Sequence, residues 1–270
     1  MTEALEEREA RLRAILADMG SAAVAFSGGV DSTYLLKVAY DVLGENVLAI
    51  TAQSPSFAAR ELNEAMQLAI AIGVPQMIVE GHELDNPAYA ANAADRCYLC
   101  KSELFAHMTA VARKHGLRWL AHGENADDLL DYRPGSRAAA ELGARAPLRE
   151  AGLNKDGIRE LSRRLGLPTW NKAAAACLAS RIPYGTPITR ERLAQVEAAE
   201  NRLWGLGFRQ VRVRHHGDTA RIEVPQPDMA ALLVERASVV NGLKDLGFTY
   251  VSLDLQGYRT GSMNEGLAKR

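Results

Sequence analysis

Apolar positions along the first two thirds of the chain alternate between helical and strand-like spacing. Residues 3–18 carry Leu5, Leu12, Ile15 and Leu16 among charged neighbours, a helical pattern. Ala22, Val24, Ala25 and Phe26 form a short apolar run that ends in Ser27-Gly28-Gly29, and helical spacing resumes from Asp31 to Leu43. This spells strand, glycine turn, helix. Val47 to Thr51 and Val74 to Val79 predict two further strands, with Pro75 at the start of the second. Between them, residues 58–72 predict a helix stopped by Gly73. Helices are expected over 98–115 and 156–165, with a strand at Leu117 to Ala121. Strands alternating with helices imply βαβ units and a mostly parallel sheet.

The texture changes near residue 180, where Pro183, Gly185 and Pro187 mark a turn-rich connector. A helix is expected over 189–206, with Thr189 near its cap. Residues 210–215 and 220–224 alternate apolar and polar around Gly217-Asp218, the pattern of a hairpin. Two helices, 226–234 and 235–246, and a strand from Tyr250 to Leu253 follow. The expected fold is α/β: a Rossmann-like domain with a parallel sheet over 1–178, then a small α+β domain over 179–270 that binds substrate.

Composition changes little in that picture. The chain has 270 residues, 47% apolar and 24% charged, an ordinary globular balance with enough length for a sizeable core. Net charge is −1, with 19 basic against 23 acidic residues in 1–178 and 13 against 10 in the rest. That suits an anionic small molecule and gives no broad basic surface for nucleic acid. No apolar run is long enough to span a membrane, and the acidic, helical N-terminus MTEALEEREARLRAIL does not resemble a secretory signal, so a cytoplasmic location is expected. Three cysteines, Cys97, Cys100 and Cys177, argue against a disulfide framework. The C-x-x-C pair is instead a chemical lead.

The sharpest local signal is Ser27-Gly28-Gly29-Val30-Asp31-Ser32-Thr33. Glycines permit tight turning and close backbone approach. Exposed N–H groups at a helix start, with the Ser27, Ser32 and Thr33 hydroxyls, would cradle an anion. The run lacks the G-K-[ST] of a P-loop, and Asp31 carries the wrong charge for that role. An acid in a phosphate loop makes sense beside a metal-bound pyrophosphate. The plainer alternative is a glycine turn with Asp31 and Ser32 as caps.

This run resembles the PP-loop of the ATP pyrophosphatases, the adenine-nucleotide α-hydrolase-like superfamily. Later segments narrow the resemblance. They are Gly123-Glu124-Asn125-Ala126-Asp127-Asp128, Tyr132-Arg133-Pro134-Gly135, Arg145-Ala146-Pro147-Leu148 and Leu167-Pro168-Thr169-Trp170-Asn171-Lys172. They continue through Cys177-Leu178-Ala179-Ser180-Arg181-Ile182-Pro183-Tyr184-Gly185, Val211-Arg212-Val213-Arg214-His215 and Leu255-Gln256-Gly257-Tyr258-Arg259-Thr260-Gly261-Ser262. Together, from about residue 10 to 265, they resemble the LarE-type sulfurtransferases that act on a pyridinium-dicarboxylate mononucleotide in nickel-pincer cofactor biosynthesis for lactate racemase.

The resemblance implies that ATP, with Mg²⁺, adenylates each pyridinium carboxylate and that sulfur then displaces AMP. It implies a nucleotide site from Ser27, Gly28, Gly29, Asp31, Ser32, Thr33, Ser54, Gly123 and Asp127, where Asp127 and its neighbour Asp128 could equally cap a helix. In the single-cysteine form of the family the equivalent of Cys177 gives up its own sulfur and becomes dehydroalanine. Cys97 and Cys100 depart from that form. Three thiolates are one short of an all-cysteine zinc site and match a cubane 4Fe-4S cluster with one open iron. The resemblance to three-cysteine variants favours the cluster. Zinc with a fourth ligand, a redox C-x-x-C and unlinked thiols beside a sacrificial Cys177 are the other readings. A further departure is the alanine run 173–176, where a proline often follows the lysine, with Asn171 in place of an aspartate.

A substrate with two carboxylates and a phosphate calls for cations, and Arg212, Arg214 and Arg259 are the candidates. Arg212 and Arg214 would share one strand face, with a solvated face as the plain alternative. Arg181 would hold a carboxylate, lower the Cys177 thiol pKa, or pair with an acid. Glu200 is assigned an acidic role near the reacting centre by resemblance, against a surface glutamate. Trp170 is expected to pack, with a role near the substrate as the alternative, and the adjacent His215 and His216 make a poor metal pair.

The expected partners are the pyridinium mononucleotide, a sulfide or persulfide donor, and further copies of the chain in a homo-oligomer. No nucleic acid or membrane partner is expected. Competing functions are cluster-dependent tRNA thiolation, ammonia-dependent amide formation, and a binding protein that senses nucleotide or metal without releasing pyrophosphate.

Overall fold

Two sheets organise the computed structural model, which describes residues 4–130, 134–173 and 176–259. The first stretch holds α1 (Leu5–Met19), β1 (Ala22–Ala25), α2 (Val30–Leu43), β2 (Val47–Gln53), α3 (Ala59–Ile72) and β3 (Gln76–Glu80). Next come α4 (Pro87–Ala90), α5 (Arg96–Lys114), β4 (Trp119–His122), α6 (Pro134–Glu141), α7 (Pro147–Glu150) and α8 (Lys155–Arg164). The last are α9 (Arg190–Gly205), β5 (Arg212–His216), β6 (Thr219–Glu223), α10 (Met229–Val234), α11 (Arg236–Lys244) and β7 (Tyr250–Leu253). Contacts gather these into two compact units, residues 1–83 with 97–175 and residues 84–96 with 176–270. Tyr132, Arg133, Ala174, Ala175, Thr260, Gly261 and Ser262 of the motifs above lie outside the described residues.

In the first unit all four strands are parallel, in the order β3-β2-β1-β4. The chain runs outward from β1 to β3, then crosses back to place β4 on the other side of β1. That reversal is a topological switch point, where open α/β sheets bind ligands beyond their strand ends. β1 is Ala-Ala-Val-Ala and buried through its first three residues. Alternate side chains serve opposite faces. Ala22 and Val24 join α1, α2, α3 and α8 through Leu16, Leu35, Ala65 and Ile158. Ala23 joins Leu48, Ile50, Phe105 and Met108 on the other face. Helices therefore cover both sides, which is why the strands read as continuous apolar runs.

The second unit has a three-stranded sheet, β5-β6-β7, antiparallel then parallel. The hairpin pairs His216 with Thr219 across Gly217-Asp218, and Gly217 takes φ +66°. α9, α10 and α11 supply Leu203, Leu232 and Leu243 to a core that includes Val213 and Ile222. The helix expected at 226–234 begins as a single 3-10 turn over Gln226–Asp228 and becomes α10 only at Met229. Among the described residues no helix is long and apolar enough to cross a membrane.

Candidate functional site

β1 ends at Ala25, and the next four residues turn the chain into α2 at the switch point. Gly28 takes φ +68°, and a Cβ there would lie 3.1 Å from the Ala65 backbone of α3. Only glycine meets both conditions without strain. Gly29 is the N-cap of α2 in extended conformation. The Ser32 hydroxyl lies 3.1 Å from the Ser27 hydroxyl and accepts the Ser27 N–H at 3.3 Å, which closes the loop. Thr33 Oγ1 is buried and has no hydrogen-bond partner among the described residues. From β4, Gly123 comes so close that a Cβ would sit 3.0 Å from the Ser32 amide nitrogen. Ser27, Gly28, Gly29, Asp31, Ser32, Thr33 and Gly123 are thus gathered around one helix N-terminus, whose leading N–H groups lack intrahelical acceptors.

Asp31 opens this helix. Its Oδ2 pairs with the Lys155 ammonium and accepts from Asn125 Nδ2 at 3.4 Å. Its Oδ1 is buried and has no hydrogen-bond partner among the described residues. An unsatisfied buried carboxylate oxygen beside a phosphate cradle fits a hard cation such as Mg²⁺. Asp127 does something different: its carboxylate accepts the Lys155 backbone N–H at 2.8 Å, fixing the start of α8. Asp128 accepts from the Asn125 N–H at 3.0 Å.

Ser54, past the end of β2, donates to Glu83 Oε1 at 2.5 Å. Glu83 is 1% exposed, and its Oε2 has no hydrogen-bond partner among the described residues. Lys172 donates to the Gly28 carbonyl at 3.0 Å and pairs with Glu64 at 2.8 Å, tying the motif before the alanine run to the glycine loop. Trp170, expected to pack, is 40% exposed.

At the end of β4, His122 is buried 3.6 Å from Glu124, and Glu124 pairs with Arg149 at 3.0 Å. Burial, with Lys101 and Arg149 nearby, pushes the His122 pKa down to about 4. The imidazole is therefore neutral at physiological pH.

The second unit carries a different chemistry. Cys177 is half-buried and precedes a 3-10 turn, Leu178–Arg181. Arg181 is 2% exposed and folds back to donate to the carbonyls of Ala176 at 2.5 Å and Cys177 at 2.9 Å. Its other nitrogens grip both oxygens of Glu200 at 2.8 and 2.9 Å. Glu200 is buried in α9, not a surface residue, and also accepts the Val213 N–H of β5 at 3.0 Å. Arg214 is buried as well, 2.6 Å from Glu223 and 3.1 Å from the Ser180 carbonyl. Arg212 is half-buried, with its guanidinium 5.5 Å from the Tyr258 ring. Arg259 follows Tyr258 and is half-buried. His215 bonds Gln195 at 2.9 Å and meets the Phe248 ring edge to face.

A buried asparagine holds the loop after Arg181. Asn92 takes φ +59°, and its Nδ2 donates to the carbonyls of Ile182, Pro183 and Thr186. Its Oδ1 accepts from Arg96, which stacks on Tyr184 at 4.4 Å.

Cys97 and Cys100 stand three residues apart in α5, hence on one helix face, both half-buried. Among the described residues no group of three or more His, Cys, Asp or Glu side chains is gathered as a metal site.

Residues that the sequence reading missed are Lys155, Glu83, Glu223, His122 and Asn92. Glu223 had one signal: it falls opposite Arg212 in the hairpin register, at the end of an alternating strand.

No protein-family model matches the chain. It is 43% identical over 269 residues to a pyridinium-3,5-bisthiocarboxylic acid mononucleotide synthase of Lactiplantibacillus plantarum, covering 98% of this chain and 96% of that one. An uncharacterised protein of Synechocystis is 46% identical over 268 residues, 98% of this chain and all of that one. An argininosuccinate synthase of Haloarcula marismortui is 31% identical over 163 residues, which is 55% of this chain and 38% of that protein.

Proposed function

The chain belongs to the pyridinium-3,5-bisthiocarboxylic acid mononucleotide synthase family, and from that premise we propose that it is an ATP-dependent sulfurtransferase converting the carboxylates of a pyridinium-dicarboxylate mononucleotide to thiocarboxylates. Such a product is a step toward a nickel-pincer nucleotide cofactor. The observation that carries the nucleotide half is Asp31 at the head of α2, with one buried carboxylate oxygen that has no partner among the described residues, inside a loop that Gly28 and Gly123 keep open to close approach.

A substrate carboxylate oxygen attacks the α-phosphorus of ATP. The bond from that phosphorus to the α–β bridging oxygen breaks, and pyrophosphate leaves with the electron pair. The Ser27–Thr33 cradle holds the phosphates in line, and Asp31 would hold Mg²⁺, which offsets phosphate charge when bound. A hydrosulfide-level nucleophile then forms the C–S bond, the acyl C–O bond breaks, AMP leaves and the S–H proton passes to solvent. Each of the two carboxylates is treated in turn. Arg212 and Arg259 supply cationic contacts to the substrate. Arg181 and Glu200 lock the backbone at Cys177, since the guanidinium nitrogens are already engaged.

The sulfur source is the finer part of the reading. Cys97, Cys100 and Cys177 are assigned as ligands of a 4Fe-4S cluster, supported by the thiol count, the pair on one face of α5 and the family resemblance. Iron and acid-labile sulfide in anaerobically purified protein decide the matter. About four irons per chain, lost in Cys97→Ala, support the cluster. Iron-free protein assigns sulfur donation to Cys177 alone: its Sγ forms the thioester, AMP leaves, and loss of the Cα proton breaks the Cβ–Sγ bond to leave dehydroalanine.

The nucleotide half is tested by pyrophosphate and AMP release with and without the pyridinium substrate. Release is expected only with it. Asp31→Asn is expected to lower AMP formation by about two orders of magnitude or more while ATP still binds. Unchanged AMP formation in that variant would sink the role given to the loop, and ATP binding without pyrophosphate release would make the protein a sensor.

A further inference from the structure

The Lys155 ammonium occupies Oδ2 of Asp31, the carboxylate assigned above to the nucleotide's metal. Its position is built into the fold. The Asp127 carboxylate accepts the Lys155 N–H at 2.8 Å, and the Ala126 N–H meets the Leu153 carbonyl at 2.8 Å. Asn154 caps α8 by accepting from the Gly157 N–H at 3.0 Å. Ile158 and Leu161 anchor the helix in the core shared with α2. The Cα of Lys155 is thus fixed at the mouth of the glycine loop.

Its head group is not fixed in the same way. The Lys155 side chain is 38% exposed, against 19% for Asp31. A lysine has a flexible four-carbon stem and a compact charge, so the ammonium can change partner while its Cα stays still. Asp31 needs a cation in the empty loop as much as in the loaded one, because a lone carboxylate would repel an arriving triphosphate. At equal distance and dielectric, a dication attracts the carboxylate twice as strongly as an ammonium does.

We propose that Lys155 is a placeholder cation, which neutralises Asp31 in the nucleotide-free enzyme and is displaced by metal-bound ATP onto a phosphate oxygen, where it offsets the charge of the leaving pyrophosphate. The inference rests on the nucleotide reading above and adds a residue to it. Lys155 is a positioning residue before ATP arrives and a binding residue afterwards.

Mn²⁺ alone is the probe for the first half. Free Mn²⁺ is titrated by electron paramagnetic resonance against the full chain, K155M and K155R, without nucleotide. K155M is expected to bind Mn²⁺ at least about threefold more tightly than the natural chain, because no ammonium competes for Asp31. K155R should stay within about twofold of the natural chain. Equal or weaker binding in K155M, or no binding by either protein, overturns the proposal. Neither variant should unfold, since a partly exposed ion pair contributes at most about 1 kcal/mol.

The second half is read at saturating metal, ATP and pyridinium substrate. K155M should lose at least about tenfold in kcat for AMP formation with little change in KM for ATP, and K155R should recover most of it. Full kcat in K155M overturns the displacement. A natural chain that makes no AMP would refute the nucleotide reading instead, and the Mn²⁺ titration would still decide whether Lys155 competes for Asp31.

Discussion

A methyl group at Gly123 would lie 3.0 Å from the Ser32 nitrogen and 3.2 Å from the Asp31 carbonyl carbon. Both neighbours are backbone atoms of the helix start that the phosphates would face, so neither can rotate away. Gly123→Ala is expected to push α2 from the end of β4, at a cost of about 1–3 kcal/mol, and to lower AMP formation at least tenfold. Calorimetry and the AMP assay check it; native activity would show that β4 does not shape the cradle. Glu200 presents a different residue-scale case. It and Arg181 form a buried pair, 7% and 2% exposed, with both carboxylate oxygens engaged. Glu200→Gln leaves the buried guanidinium without its countercharge and is expected to lose about 3–5 kcal/mol in urea unfolding. A loss under about 0.5 kcal/mol would mean the pair is not buried as described.

At the scale of elements, the end of β4 titrates. His122 is held down to about 4 by burial, then by Lys101 and Arg149, while an unfolded histidine titrates near 6.5. Below pH 6.5 the unfolded chain takes up a proton that folded His122 refuses. Stability should therefore be full above pH 6.5 and fall as the pH drops toward 4, with a loss of about 2 kcal/mol by pH 5 from this group alone. Urea midpoints at pH 7 and pH 5 measure it, and His122→Asn should flatten the difference. An equal pH dependence in that variant would contradict the account.

Much of this scale was legible. The strand, glycine loop and helix at 22–43 could be read because a parallel strand buried on both faces is a bare apolar run, and only glycine suits a positive φ beside Ala65. The four-residue helices α4 and α7 were not, since one turn has no period to detect. Lys155 was invisible because its partner Asp31 lies 124 positions away. Asn92 sits in a polar stretch with no pattern, and its three carbonyl partners lie 90 to 94 positions further on. Arg181 and Glu200 were visible as candidates through resemblance, but their pairing needed the packing of α9 against its neighbours.

On the scale of the whole molecule, each unit holds one half of the proposed chemistry. The first carries the glycine loop, Asp31 and Lys155; the second carries Cys177 and a network of buried arginine–glutamate pairs. The central claim is that adenylation at the first is followed by formation of a carbon–sulfur bond. The most direct measurement counts AMP against thiocarboxylate in one anaerobic reaction, with the product identified by the mass change of oxygen replaced by sulfur. The account predicts one AMP for each carbon–sulfur bond, both abolished in Asp31→Asn. Thiocarboxylate formed without AMP, or AMP formed with the substrate's carboxylates unaltered, would contradict it.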